Sequence, residues 1–211
     1  MIQTWIADVS RLWEEEIYQM YYGQVPRARQ QKAERLRFQC DRALSIGAGV
    51  LLEKMREYYG LPEDVLYNLS HSGIYALCSV AESRDEVTRL GCDVEQRKEP
   101  RLSVAKRFFC QEEYQELLNF EGEKQREMFY RYWVWKESFM KATRQGMKLG
   151  LDTFSFTQNA KNEVILKKCP KEYLDTYYWK EYQVENEKEQ YQIAVCANRD
   201  VFASDLIRIQ L

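Results

Sequence analysis

Residues 89–95 read R-L-G-C-D-V-E, and residues 133–141 read W-V-W-K-E-S-F-M-K. The first stretch predicts a strand. Successive strand side chains point to opposite faces, so Asp93 and Glu95 share one face and Cys92 and Val94 take the other, apolar one. Two carboxylates about 7 Å apart along one strand face suit a single hard cation. The plain alternative is an amphipathic strand with its polar side in water. The second stretch lies in a predicted helix over 126–143. There Trp133, Glu137 and Lys141 fall at i, i+4 and i+8, on roughly one face. Glu137 can add a third carboxylate, and Lys141 can hold an anion beside it. The plain alternative is a surface Glu–Lys pair next to a core tryptophan.

Outward from this strand and helix, the chain alternates between the two element types. A strand is predicted over 2–9, helices over 11–22 and 42–59, and strands over 65–69 and 74–81. Asp41 is the candidate N-cap of the second helix, and Gly60-Leu61-Pro62 stops it. Ser70-His71-Ser72-Gly73 reads as a polar turn between two strands. Helices follow over 104–109 and 112–118, before the one carrying Glu137. The remainder is β-rich, with strands over 153–156, 164–166, 177–184 and 191–196. This order predicts an α+β chain of two similar halves, 1–100 and 101–211.

The chain has 211 residues, 45% hydrophobic and 30% charged, which is enough for a sizeable core. Thirty-one basic residues balance thirty-three acidic ones, a net charge of -2. That argues against a surface built for nucleic acid. The single histidine excludes zinc centres that need two or three imidazoles. The six cysteines form no C-x-x-C pair, and several sit in apolar runs as small buried hydrophobes. The opening MIQTWIADVSRLWEEE lacks the pattern of a signal peptide. No apolar run is long enough to span a membrane. A reduced, cytoplasmic protein is expected. The basic run Arg27–Arg37 reads equally as a solvated helix face or as a charged patch.

Asn68-Leu69-Ser70-His71-Ser72-Gly73 places the lone histidine between two hydroxyls. Turn amides, hydroxyls and an imidazole suit a phosphate cradle. The plain alternative is a histidine that satisfies backbone groups.

N-L-S-H-S-G, then G-C-D-V-E, then A-K-R-F-F-C-Q-E-E-Y, then W-V-W-K-E-S-F-M-K-A resembles, in this order, the larger surfactin-type branch of the 4′-phosphopantetheinyl transferases. Asp93 and Glu137 stand 44 positions apart, close to the family's spacing. The resemblance implies transfer of the phosphopantetheine arm of coenzyme A to a serine of an apo acyl or peptidyl carrier protein, with release of adenosine 3′,5′-bisphosphate. It implies a monomer of two pseudo-symmetric halves with the coenzyme in the cleft between them. It implies Asp93, Glu95 and Glu137 as Mg²⁺ ligands, with Mn²⁺ as a substitute. Lys141 and Lys136 would meet the coenzyme's phosphates, and Arg42, Ser70 and His71 its nucleotide 3′-phosphate. Glu137 and Glu113 are rival bases for the carrier serine. Phe108, Phe109, Tyr114 and Leu118 would lie where relatives dock the carrier, or would simply pack the core. Without metal, repulsion should raise at least one of the three acidic pKa values.

The sequence departs from the family in two places: its basic N-terminal stretch is shorter, and the segment before the histidine motif differs. Relatives carry a G-K-P segment on an extra strand before the histidine motif. Here Gly60-Leu61-Pro62 stands there, with leucine in place of lysine, so that strand and a phosphate contact are expected to be missing. Arg29, Lys32 and Arg35 are candidates to compensate. The departures motivate an alternative: a homologue with weakened catalysis that binds coenzyme A or a carrier.

Overall fold

In this computed structural model the first strand, β1 (Ile2–Asp8), is buried along most of its length, as suits a strand with neighbours on both edges. The structure describes residues 1–173 and 175–211. After β1 come α1 (Glu15–Tyr22), α2 (Arg27–Glu34) and the 21-residue α3 (Gln39–Tyr59). Helix α2 buries only Ala33, so the basic run is a largely solvated helix. Helix α3 buries an apolar face that includes Leu44, Ile46, Val50, Leu51 and Met55. That face packs with Trp5, Ala76, Cys78 and Val80 of the sheet in one core. Asp41 lies inside the first turn of α3 rather than capping it, and Phe38 is the N-cap. At its other end Gly60 adopts φ 62°, the left-handed conformation that ends helices at low cost to glycine.

The next strands are β2 (Leu66–Ser72) and β3 (Tyr75–Ala81), paired antiparallel with Ser70 opposite Leu77 and His71 opposite Ala76. The turn is therefore at Gly73, which takes φ 58°. Ser70, His71 and Ser72 are strand residues, contrary to the turn expected from their polarity. The ladder to β3 continues through them, because each finds a backbone partner there. No strand lies between α3 and β2 among the described residues, in agreement with the missing segment.

The second unit begins with β4 (Leu90–Gln96), followed by α4 (Leu102–Phe108), α5 (Gln111–Leu118) and the 22-residue α6 (Gly122–Thr143). A two-stranded hairpin follows, β5 (Ser155–Gln158) with β6 (Val164–Lys168). Then β7 (Tyr178–Glu185) and β8 (Gln190–Ala197) join β4 in a sheet of order β4-β8-β7. Helix α6 lies on β4 and β8. Its core includes Trp135, Phe139, Phe154, Phe156 and Cys196.

The last strand, β9 (Phe202–Gln210), returns to the first unit and runs parallel to β1. It completes a sheet of order β2-β3-β1-β9. No strand was expected there, because Ser204 and Asp205 interrupt its apolar alternation. A register shift opposite Ile2 and Thr4 accompanies them. The two compact units are therefore Met1–Glu86 with Val201–Leu211, and Val87–Asp200. This differs from an expected boundary at residue 100. Strand β4 pairs with β8, and β9 pairs with β1, so pairing assigns both ends differently. Each unit sets one long helix on a sheet, mixed in the first unit and antiparallel in the second, the α+β class expected. None of the six cysteines is joined in a disulfide. No helix among the described residues is long and apolar enough to cross a membrane.

Candidate active site

Gly91 explains how α6 comes so close to β4. A Cβ built there would stand 2.1 Å from the Ser138 carbonyl oxygen and 2.4 Å from the Ala142 nitrogen. Only a residue without a side chain lets the helix backbone rest on the strand at this point. The contact falls on the helical turn between Glu137 and Lys141, two residues before Asp93. The sequence held a signal for Gly91, since a glycine inside a strand often marks a close backbone approach.

This contact brings the strand and the helix motifs together. Asp93 is only 3% exposed. The Lys141 ammonium donates to Asp93 Oδ1 at 2.7 Å and to the Cys92 carbonyl at 3.0 Å. Burial is the largest single influence on Lys141 and lowers its pKa, but Asp93, Cys92 and Glu137 together outweigh it and hold the group above its ordinary value. Lys141 therefore stays cationic. Glu137, one helical turn before it, is pushed above the usual carboxylate range. Burial is the larger cause and the Asp93 charge the next, with Lys141 acting against both. Repulsion between acids was expected to raise one of these groups. Asp93 does act on Glu137 in that sense, but desolvation leads.

The Glu137 shift sets a pH dependence. A carboxyl with a higher pKa in the folded chain than in the unfolded one contributes stability below the unfolded value, and loses it as pH rises through the folded value. In metal-free buffer Glu137 should therefore make the fold less stable as pH climbs above about 4.3. Glu137→Gln should flatten that decline and raise the melting temperature near neutral pH. Thermal melts in chelator from about pH 4 to about pH 8 measure it, and an unaltered slope would contradict the assignment.

Glu95 follows Asp93 on the same strand face and is half-buried. Among the described residues, however, no three of His, Cys, Asp and Glu gather closely enough to form a ready metal-ligand cluster. The three-carboxylate centre expected of Asp93, Glu95 and Glu137 is thus not assembled, and a lysine ammonium lies on Asp93. The donor chemistry still suits magnesium, which typically binds one or two carboxylates and takes its other ligands from phosphate and water.

Lys136 and Glu113 are placed differently from expectation. Lys136 is 1% exposed and Glu113 2%. The Lys136 ammonium meets Glu113 Oε2 at 2.8 Å and the carbonyls of Leu151 and Phe154 at 2.7 and 2.8 Å. An ammonium has three N–H donors, so none is left for a phosphate. Glu113 also accepts the Cys110 and Phe156 amide N–H groups, each at 2.9 Å. Its oxygens are committed to buried donors, which argues against a role as base. Burial raises the Glu113 pKa and lowers that of Lys136, each opposed by the partner's charge.

In the first unit, Ser70 is buried and His71 exposed, neighbours on β2 whose side chains take opposite faces. They do not form the cradle of turn amides expected. Arg42 lies in the first turns of α3, and its Nε donates to the Leu36 carbonyl at 2.8 Å. Of the candidates for carrier docking, Phe109 is core, Phe108 and Tyr114 pack against that core, and Leu118 is exposed.

The strand motif and the helix motif thus meet, with a buried strand acid held by a helix lysine and a glutamate one helical turn before that lysine. The family model of the 4′-phosphopantetheinyl transferase superfamily matches residues 89–196, which hold both β4 and α6. The chain belongs to that superfamily. Within it, the chain stands with the surfactin-type branch. It is 33% identical over 156 residues to the 4′-phosphopantetheinyl transferase Sfp of Bacillus subtilis (strain 168), covering 72% of this chain and 65% of that protein. To the transferase ffp of Bacillus subtilis it is 33% identical over 143 residues, covering 68% of this chain and 59% of that protein. The chain thus spans less than two thirds of the length of these curated relatives. Among solved structures, the holo-[acyl-carrier-protein] synthase of Thermotoga maritima overlaps 54% of this chain and 65% of its own, at 16% identity and a TM-score of 0.42.

Proposed function

We propose that the protein transfers the phosphopantetheine group of coenzyme A to a serine hydroxyl of an apo acyl or peptidyl carrier protein. The observation that carries this reading is Asp93, Glu137 and Lys141 held together by the contact of β4 with α6, within the segment that the family model matches. In the reaction the serine oxygen bonds to the phosphorus next to the pantetheine arm. The bond from that phosphorus to the bridging oxygen breaks, and adenosine 3′,5′-bisphosphate leaves. Asp93 and Glu137, with Glu95 from the same strand face, are the oxygen donors we assign to Mg²⁺. When bound, the ion supplies charge neutralisation at the diphosphate. Lys141, kept cationic by Asp93, turns its ammonium toward the diphosphate. We assign Glu137 the proton of the serine, taken directly or through water. Ser70, His71 and Arg42 are assigned to the nucleotide 3′-phosphate, Ser70 and His71 through neighbouring positions on β2. We read the protein as a monomer.

Mass spectrometry of an apo carrier incubated with the protein, coenzyme A and Mg²⁺ tests the reading. The carrier should gain one phosphopantetheine. No gain with a panel of fatty-acid, polyketide and peptide-synthetase carriers would overturn it.

One observation favours a weaker variant of the same reading. Leu61 takes the place of the family's lysine, and it packs against the core of the first unit rather than presenting a charge. Coenzyme A affinity should therefore be several-fold lower than that of full-length relatives at matched salt and magnesium. Calorimetry measures this, and equal affinity would show that other basic residues compensate. A homologue that has lost catalysis would bind coenzyme A or a carrier with no transfer in the same assay.

A further inference from the structure

Two features of α6 stand on different sides of the helix. On one side Gly91 lets the backbone at Ser138–Ala142 touch β4. On another, Lys136 is sunk into the core and anchored. Its ammonium has three partners, the Glu113 carboxylate and the Leu151 and Phe154 carbonyls. It lies 4.6 Å from the centre of the Phe154 ring, 5.6 Å from that of Phe156 and 5.8 Å from that of Phe109. Glu113 in turn holds the amides of Cys110 and Phe156, and the Cys110 thiol reaches the carbonyls of Asp152 and Phe154 at 3.0 and 3.2 Å. A single side chain of α6 is thus tied to the start of α5 and to the segment 151–156.

A buried ion pair is weak evidence for stability, since apolar replacements of such pairs are often neutral or stabilising. What it supplies is direction. An ammonium with three fixed acceptors and an aromatic surround has one orientation. Consecutive helix residues differ by about 100° around the axis, so fixing Lys136 fixes the bearing of Glu137. The Gly91 contact sets how close α6 comes to β4, but a backbone contact with a glycine leaves rotation of the helix open.

We infer that Lys136 and Glu113 are positioning residues: the buried pair sets the rotation of α6 and so aims the Glu137 carboxylate at the Asp93–Lys141 pair. The inference rests on the proposed transferase reading in giving Glu137 a part in the reaction.

The test uses the full chain carrying Glu113→Gln and Lys136→Met together, which removes both charges and leaves neither one stranded. The double variant should melt within a few degrees of the wild type. Its KM for coenzyme A should stay within about twofold, while kcat falls at least about tenfold, because a misplacement near 1 Å can cost on the order of a hundredfold. A folded double variant with unchanged kcat would overturn the proposal. So would a loss confined to KM. If the double variant does not fold, Lys136→Arg alone, which keeps a cation beside Glu113 but changes the geometry of its donors, carries the same readouts. Crystal structures of wild type and variant give a readout independent of turnover. The Glu137 carboxylate should be displaced from Asp93, and an unmoved carboxylate would overturn the proposal. If the wild type itself transfers to no carrier, the transferase reading fails while the crystallographic comparison still decides the positioning.

Discussion

Asp93→Ala should cut transfer to an apo carrier by roughly a thousandfold or more, about 4 kcal/mol of barrier, without unfolding the chain. The substitution removes a carboxylate proposed for the metal and the acceptor that Lys141 holds at 2.7 Å. Its stability cost should be milder than that of splitting a fully buried pair. The Lys141 side chain keeps 28% of its surface in contact with solvent, so its ammonium can recover hydration once Asp93 is gone. A drop of a few degrees in melting temperature is expected. The neighbours should respond in a linked way. Glu137 loses the charge that helps to raise it, so its pKa should move back toward the usual range, with burial still holding it partly up. Lys141 loses what holds it up and should fall. Carrier mass spectrometry, a thermal melt and carboxyl NMR titration check the three parts. Turnover left intact in a folded Asp93→Ala protein would remove the metal assignment altogether.

Gly91→Ala should be nearly as damaging to turnover, although residue 91 carries no functional group. The added methyl would lie 2.1 Å and 2.4 Å from backbone atoms of α6, which cannot rotate out of the way as a side chain can. The helix must move off β4, and overpacking of this kind costs about 1–3 kcal/mol or more. Glu137 and Lys141 sit on the turn that moves, while Asp93 stays on the strand, so the fall in kcat should approach a hundredfold. A variant that melts as the wild type does and retains full turnover would show that the close approach is not needed.

These two variants separate what was legible in the sequence from what was not. The strand over 89–95 and the helix over 126–143 could be read because each has its own periodicity, two for the strand and 3.6 for the helix. The identity of the acids and of Lys141 could be read because their order and spacing match a family. Local patterning failed where a residue's role depends on what crosses it. The Ser70–Ser72 segment looked like a turn from its polarity, yet pairing with β3 makes it strand. β9 was not among the expected strands, and it forms because β1 supplies its hydrogen bonds.

Lys136 and Glu113 show the same limit inside the candidate site. Both are charged residues in family motifs, and charge in a motif suggests a ligand. Their sequence positions say nothing of burial. Burial follows from three elements, α5, α6 and the segment 151–156, closing over them. By itself the sequence determined the class, the family and the acidic and basic groups that carry the proposed chemistry, because composition, periodicity and motif order are properties of the chain alone. Only the tertiary structure decided that Asp93 is gripped by Lys141, that Gly91 admits the helix, and that the lysine beside Glu137 is an anchor. Those are contacts between residues 15 to 51 positions apart, and such contacts exist only once the chain has folded.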